Sequence, residues 1–475
     1  MTRAPAGDIA DVCVIGAGSG GLVVAAITAR LGLDTVLIER GQMGGECLNT
    51  GCVPSKALLA AAAVAESARN AHAFGVRVGA PEIDFSATMA HVHQVIGQIA
   101  PNDSQERFEG MGVRVIRAEA KFVGRDEIEV EGKRMRAKRF FIATGSHPAI
   151  PPIPGLDQVP YFTNENLWAN RVAPSHLIII GGGAIGLEMA QAHRRLGADV
   201  TVLEAARIMP RDDQELVAVV RGQLIKEGIK ILEGAAIEKI DRAGKGIAVT
   251  VKGQARPLEG SHLLVAAGRR PTVAGLDLEK AGVEVSRAGI VTDLRLRTAN
   301  PRIYAVGDVA GRRQFTHAAA DHAGTAIRHA IFKLPAKVDD AKIPWCTYTD
   351  PELAQAGLTE EEARAKFGEV EIQRFPFHDN DRALTERRGI GMVKLILGRR
   401  GRILGVGIVG PHAGELIHPW CLTMSLGKRI GAWTRPVLPY PTLGEAAKRA
   451  ALNHFAAALN NPALRALARL VVRHL

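Results

Sequence analysis

A glycine-punctuated strand–turn–helix occurs twice in the chain, and nothing else in the sequence restricts the fold as tightly. The first copy runs from the apolar stretch Asp11–Ile15 into Gly16-x-Gly18-x-x-Gly21, then through a helical segment over Leu22–Leu31 to a second strand, Thr35–Glu39. The second runs from His176–Ile180 into Gly181-x-Gly183-x-x-Gly186, then a helix ending near Leu196, then a strand over Asp199–Glu204. In each copy an acid, Glu39 or Glu204, stands 18 residues beyond the third glycine. Such a turn lets a pyrophosphate approach the backbone at a helix N-terminus, while the acid accepts from a ribose hydroxyl. A plain βαβ crossover needs neither the glycines nor the acid. Each half later ends in an apolar strand and a small turn, Phe140–Gly145 (with Thr144 and Gly145) and Leu263–Gly268. Two dinucleotide sites predict two dinucleotides, and the simplest chemistry joining them is hydride transfer.

The 475 residues predict about three domains. With 47% hydrophobic and 23% charged residues the chain is an ordinary globular one, not a disordered or collagenous one. The 51 glycines against 13 Phe, 4 Trp and 4 Tyr fit small-residue packing around many turns. No uninterrupted apolar run approaches the roughly 20 residues of a membrane span, and the first ten residues carry no signal core, so a cytoplasmic location is expected. The formal charge of +11 raises nucleic acid as a partner, but no basic run with interleaved aromatics and no DNA-binding motif supports it. Five cysteines, at 13, 47, 52, 346 and 421, suit a reducing compartment, where a close pair is catalytic rather than structural.

That pair lies in Gly44-Gly-Glu-Cys47-Leu-Asn-Thr-Gly-Cys52-Val-Pro-Ser-Lys56. On a regular helix two residues five apart are separated by roughly 7.5 Å of rise, more than the roughly 4.4–6.8 Å a disulfide spans between Cα atoms. Asn49, Thr50 and Gly51 supply the irregularity that could bring them together, and Pro54 is expected to start a fresh helix over Ala57–Ala68. A thiolate near a helix N-terminus and a lysine has the lowered pKa that thiol exchange needs. A metal site would want two further ligands at similar spacing, and none is visible.

With these motifs in order, followed by Ala-Ala-Gly268-Arg-Arg-Pro271 and Ala305-Val-Gly307-Asp308-Val-Ala310, the chain resembles the class I pyridine nucleotide–disulfide oxidoreductases over essentially its whole length. The family includes dihydrolipoamide dehydrogenase, glutathione reductase and mercuric reductase. The resemblance implies an α/β fold: a discontinuous FAD domain (1–149 and 270–341), an NAD(P) domain (150–269), and an α+β interface domain (342–475) that forms a homodimer with a composite active site. It implies FAD in the first fold, at Gly16, Gly18, Gly21, Glu39, Thr144 and Gly145. It implies a nicotinamide nucleotide in the second, at Gly181, Gly183, Gly186, Glu204 and Gly268. Cys52 would face the flavin and Cys47 would exchange with substrate. Lys56 would sit near the flavin, paired with Glu188. Gly307 and Asp308 would hold the ribityl chain, and Thr316, His317 and Ala318 would run past the pyrimidine edge. Glu204 favours NADH, because a carboxylate repels a 2′-phosphate. The implied function passes electrons from NAD(P)H through Cys47–Cys52 to a disulfide or soft-metal, mercuric-type acceptor. The alternatives are a dihydrolipoamide dehydrogenase oxidising dihydrolipoyl groups with NAD, and a flavoprotein subunit of a lipoyl-protein complex without turnover of its own.

The pattern departs from the disulfide-reducing members at Leu438-Pro-Tyr440-Pro-Thr-Leu-Gly-Glu445, where Tyr440 takes the place of their C-terminal His while Glu445 is kept. A phenol, with a pKa near 10, donates or positions but serves poorly as a base. A Tyr here resembles mercuric reductases, although those usually end in a cysteine pair and no Cys follows Cys421. Cys13 reads as strand packing, Cys346 and Cys421 as inert, and His378 and His418 as structural. The segment Pro462–Leu475 places Arg465, Arg469 and Arg473 opposite Leu464, Leu467, Val471 and Leu475, which reads as a dimer-packing helix with a solvated arginine face, the alternative being a helix that binds a membrane surface or a partner.

Overall fold

The computed structural model describes residues 9–459 and 461–474; the readings of the N-terminal residues 1–8 and of Leu475 fall outside the described residues. The chain divides into two compact units: Met1–Gly181 with Ala192–Ala205 and Ala235–Asp340, and Gly182–Gln191 with Ala206–Gly234 and Ala341–Leu475.

In the first unit β1 (Ala10–Ile15) leads through the glycine turn to α1 (Ser19–Arg30) and β2 (Thr35–Ile38). Then come α2 (Gly45–Asn49), α3 (Cys52–Asn70), α4 (Phe85–Ile99), β3 (Arg114–Ile116) and β4 (Lys133–Ile142). The second glycine turn joins β5 (His176–Ile180) to α5 (Ala184–Arg195) and β6 (Asp199–Glu204), with β7 (His262–Val265), β8 (Ile303–Ala305) and α6 (Thr316–Ala330) later in the chain. A parallel sheet runs in the order β3-β2-β1-β4-β8, with Val14 between Leu37 and Phe141 and with Ile303 beside Phe140. Its central strands are buried at nearly every position: α1 packs against α6, and Phe122 of the strand Ala120–Gly124 meets Phe140 edge-on at 5.3 Å. A second parallel array, β6-β5-β7, places Ile178 between Thr201 and Leu263.

The helix after the cysteine segment begins at Cys52, two residues before Pro54. A proline in the first turn costs nothing, since no intrahelical acceptor awaits its missing N–H. The stretch Gly45–Phe74 is long and apolar enough by length and composition to cross a membrane. It is interrupted at Thr50–Gly51, and α3 packs against α4.

The second unit is built on an antiparallel sheet of β9 (Trp345–Thr347), β10 (Glu352–Gly357), β11 (Glu371–Pro376), β12 (Met392–Gly398) and β13 (Arg402–Gly410), in the order β9-β10-β13-β12-β11. After β13 the chain forms two short helical pieces, Ala413–Leu416 and His418–Ser425, because Pro419 supplies no N–H to carry one ladder through. Trp420 and Trp433 stack at 3.9 Å in the core, where α7 (Glu445–Leu459) buries Ala446, Ala447, Ala450 and Ala451. The terminal helix α8 (Pro462–His474) exposes both its arginines and Leu464, Leu467 and Val471.

One polar cluster is buried in this unit. Lys394, 2% exposed, donates to both carboxylate oxygens of Asp213 (2.9 and 2.8 Å) and lies 2.8 Å from Glu215 and from Glu360. Arg374, bound to Glu215 at 2.6 Å, and then Lys394 hold the Glu215 carboxyl down to about 2. Lys394→Met strands the buried Asp213 without its cation, and removing one partner of such a pair costs about 3–5 kcal/mol. A urea titration followed by tryptophan fluorescence should show that loss, while Lys239→Met at the exposed pair with Asp241 should leave the midpoint where it is.

Candidate active site

The first glycine turn is shaped by contacts that only glycine permits. Gly16 has φ +105°, and a Cβ there would stand 2.4 Å from the Ala143 carbonyl oxygen; a Cβ on Gly21 would stand 1.8 Å from that of Gly16. Gly18 is different. Its φ of −81° suits any residue, and a Cβ would meet nothing closer than the Gly45 Cα at 4.0 Å. The protein itself does not demand glycine there, so the clear space over Gly18 fits a phosphate laid against the helix start. The second turn repeats this arrangement: Gly181 has φ +114° with the Ala266 carbonyl oxygen 2.3 Å from a notional Cβ, whereas Gly183 meets nothing within 4 Å. Glu39 reaches the first turn directly, accepting from the Ala17 N–H and the Gly41 N–H, each at 2.6 Å. Both cradles therefore fit a dinucleotide.

The cysteine segment docks on the first turn. Gly44 donates to the Ala17 carbonyl at 3.0 Å, and Gly45, with φ +59°, comes so close that a Cβ would lie 2.6 Å from the Gly18 Cα. Helix α2 ends at Asn49, whose side-chain amide donates back to the Met43 and Gly45 carbonyls. The Trp168 indole N–H donates to the Thr50 carbonyl at 3.0 Å and pins the break. Gly51, at φ −123° and ψ −107°, then turns the chain into α3. In consequence Cys47 and Cys52 reach one another despite their spacing.

Both are thiols here rather than a disulfide. Cys52 opens a 19-residue helix and its sulfur lies 3.3 Å from Thr316 Oγ1. Hydrogen bonding to Cys52, then burial and the charge of Cys52, push the Cys47 thiol far up. The pair thus divides its roles: Cys47 keeps its proton, and Cys52, at a helix N-terminus, is the one favoured as thiolate. Cys13 is fully buried in β1, where burial pushes its thiol up to about 12.

Sequence reasoning passed over the most elaborate feature of the site. Glu46, adjacent to Cys47, is gripped through both carboxylate oxygens by Arg269 and also accepts from Asn164 at 2.9 Å. The Arg269 guanidinium donates at 2.8 Å to the Ser146 hydroxyl, which in turn donates to Asp308, and Arg269 Nε lies 3.7 Å from the Asp308 carboxylate. The signal was an acid inside a half-buried glycine-rich helix, which demands a cationic partner.

Thr144 donates to the Thr272 carbonyl at 2.6 Å, and Gly145 turns the chain at φ +68°. Gly307, at φ +75°, packs on Ala319 just before Asp308; the His317 ring stacks on Phe315, and Ala318 is buried. Lys56 lies one turn into α3 and donates to Ser55 at 3.4 Å. In the second unit Glu188 is buried and accepts from the Tyr348 N–H at 2.9 Å. There too, Tyr440 is 68% exposed and donates its hydroxyl to Asp381 at 2.6 Å, while Glu445 is engaged by Arg449.

Two dinucleotide cradles, with a pair of unequal thiols mounted on the first, are the marks of a dithiol-bearing oxidoreductase. Residues 10–323 match the family described as pyridine nucleotide-disulphide oxidoreductase, and residues 343–451 match its dimerisation domain. The chain belongs to the pyridine nucleotide–disulfide oxidoreductase family, whose members use FAD and NAD(P)H. It is 36% identical over 447 residues to a mercuric reductase of Bacillus cereus, covering 93% of this chain and 71% of that one. It is 37% identical over 455 residues to a dihydrolipoyl dehydrogenase of Thermus scotoductus, covering 93% and 96%. Among solved structures, the Cu(II) complex of the HOCl-induced flavoprotein disulfide reductase RclA from Escherichia coli superposes with a TM-score of 0.83 at 28% identity, over 92% of this chain and 98% of that one.

Gly18 offers a clean test of the cradle. Gly18→Ala adds a methyl that no protein atom opposes, so the apo-protein should melt unchanged. The same methyl enters the space fitted to phosphate, and overpacking of about 1–3 kcal/mol predicts FAD affinity weaker by about fivefold or more. Thermal melting of the apo form and FAD titration by fluorescence quenching measure the two sides.

Proposed function

We propose that the chain is an NADH-dependent flavoenzyme that delivers electrons through Cys47 and Cys52 to a small disulfide or soft-metal acceptor of the mercuric type, acting in the cytoplasm as a homodimer with a composite site. The observation that carries this reading is the pair of unequal thiols seated on the first dinucleotide turn, with Thr316 against Cys52. Gly16, Gly18, Gly21, Glu39, Thr144, Gly145, Gly307, Asp308 and Thr316–Ala318 would hold FAD, and Gly181, Gly183, Gly186, Glu204 and Gly268 the nicotinamide nucleotide. When bound, FAD supplies a two-electron carrier between the nicotinamide and the cysteine pair.

The chain's own residues do the rest. Cys52, favoured as thiolate, faces the carrier. Cys47 holds the proton and meets the acceptor. Lys56 and Glu188 position the reacting face. Tyr440 bears on the direction of flow. Its hydrogen bond to Asp381 pushes the phenol above its ordinary pKa, so it keeps its proton and acts as donor or positioner. Oxidising a dihydrolipoyl group needs a base for the incoming thiol, and a phenol held protonated is not one. This supports electron delivery to an acceptor over the dihydrolipoyl dehydrogenase reaction.

Replacing Cys47 or Cys52 with Ser should abolish reduction of disulfides and of Hg(II) by the FAD-loaded enzyme, while reduction of quinones, which bypasses the cysteines, persists. Steady-state assays of all three acceptors with each variant check this, and full disulfide activity in both variants overturns the assignment. Glu204 gives a second expectation. A carboxylate beside the adenosine ribose accepts from its 2′-OH and repels a 2′-phosphate. NADH should exceed NADPH in kcat/KM, and Glu204→Gln should narrow the ratio.

A further inference from the structure

Glu46 is a charged group in the cysteine helix that the exchange of electrons between dinucleotide and thiols does not itself use. Its surroundings are fully specified. Arg269 grips both its oxygens, Asn164 donates to one of them, and the same guanidinium serves Asp308, directly at 3.7 Å and through Ser146. The charged and titratable groups bearing on Glu46 are Arg269, Asp308 and Cys52, with Cys47 next to it in the chain. One cation therefore faces two carboxylates. When the cysteines form a disulfide, the cluster carries one net negative charge. When they are reduced and Cys52 is a thiolate, it carries two, in a partly buried setting where each further charge is costly.

Resting on the reading of Cys47 and Cys52 as the redox pair, we propose that Glu46 is a redox-linked proton site: it binds a proton when the pair is reduced and releases it when the pair is reoxidised. The balance is explicit. The disulfide gains two electrons from the reduced nicotinamide and its S–S bond breaks. One proton from solvent goes to Cys47, Cys52 remains a thiolate, and a second proton from solvent goes to Glu46, so two electrons travel with two protons. Arg269 favours the ionised carboxylate in both states, and the Cys52 thiolate, present only in the reduced pair, favours the acid.

The dithiol state described here supports this, since burial first, and then the charges of Asp308 and Cys52 working against Arg269, push the Glu46 carboxyl up to about 7. Forming the disulfide removes the Cys52 charge and lowers that value. Above about pH 7 Glu46 is then ionised in both states and takes no part. Below the oxidised-state value it is protonated in both. Between the two, reduction takes up one extra proton, and each linked proton changes the equilibrium constant tenfold per pH unit.

The experiment equilibrates the FAD-loaded dimer with mixtures of oxidised and reduced dithiothreitol across the pH range and counts the thiols of Cys47 and Cys52 by mass after alkylation. The readout is the ratio of equilibrium constants for wild type and Glu46→Gln, in which the dithiothreitol couple cancels. Reduction of the wild type should be favoured as the pH falls below about 7, by up to tenfold per unit relative to the variant, until the ratio levels where Glu46 is protonated in both states, with a level ratio also above about pH 7. Glu46→Asp, which keeps a carboxyl, should retain the slope. Arg269→Gln, which removes the cation but not the acid, should move the levelling point upward. A flat ratio with an intact cysteine couple overturns the role of Glu46 alone. A protein in which no Cys47–Cys52 couple equilibrates at all overturns both this inference and the reading it rests on.

Discussion

The architecture of the first unit depends on a backbone-to-backbone contact between two glycines. Gly45 lies so near Gly18 that a side chain on Gly45 would force the segments apart. Because they touch, the chain that leaves β2 returns over the mouth of the first turn before it starts α2, and the cysteines arrive beside the place fitted to a dinucleotide. The third segment arrives the same way. Gly20 packs on Val306 and on Ala319 of α6, and that helix carries Thr316 to Cys52. Small residues at each meeting point let three pieces of backbone converge, and this is why a chain with 51 glycines and few aromatic residues suits the site.

Proximity alone would give two equivalent thiols. The break at Thr50–Gly51 removes the equivalence, since it places Cys47 inside the short α2 and Cys52 at the start of a long helix. The α3 macrodipole favours charge on Cys52, and once charged Cys52 makes charge on Cys47 costly. A single irregular turn thus brings the sulfurs together and decides which one holds the proton.

Much of this was legible in the sequence because it is written in local rules. A glycine turn between a strand and a helix, an acid at the end of the next strand, and a cysteine spacing that a regular helix cannot close each speak within a few residues. Asp199–Glu204 forms with the expected bounds for the same reason. What escaped is non-local. Arg269 meets Glu46 from 223 positions away, and Lys394 gathers Asp213, Glu215 and Glu360 from other elements. Lone charges in a sequence read as solvated, and only burial reveals that they must be paired. The strands Trp345–Thr347, Glu352–Gly357 and Glu371–Pro376 were likewise not distinguished, since their short runs acquire meaning only beside β12 and β13.

Tyr440 shows how one long-range contact changes the meaning of a position. By its neighbours in sequence it pairs with Glu445, in the manner of the His and Glu of the disulfide-reducing relatives. In the fold Glu445 is committed to Arg449, and the Tyr440 hydroxyl turns to Asp381. A phenol donating to a carboxylate is harder to ionise than a free one. With Cys47 also held as a thiol in the reduced pair, two of the groups assigned to the acceptor's side already carry protons, and neither is a base for an incoming thiol. Under the proposed function such an arrangement suits an acceptor that arrives needing electrons and a proton, or electrons alone, and it opposes a dithiol that must first be deprotonated.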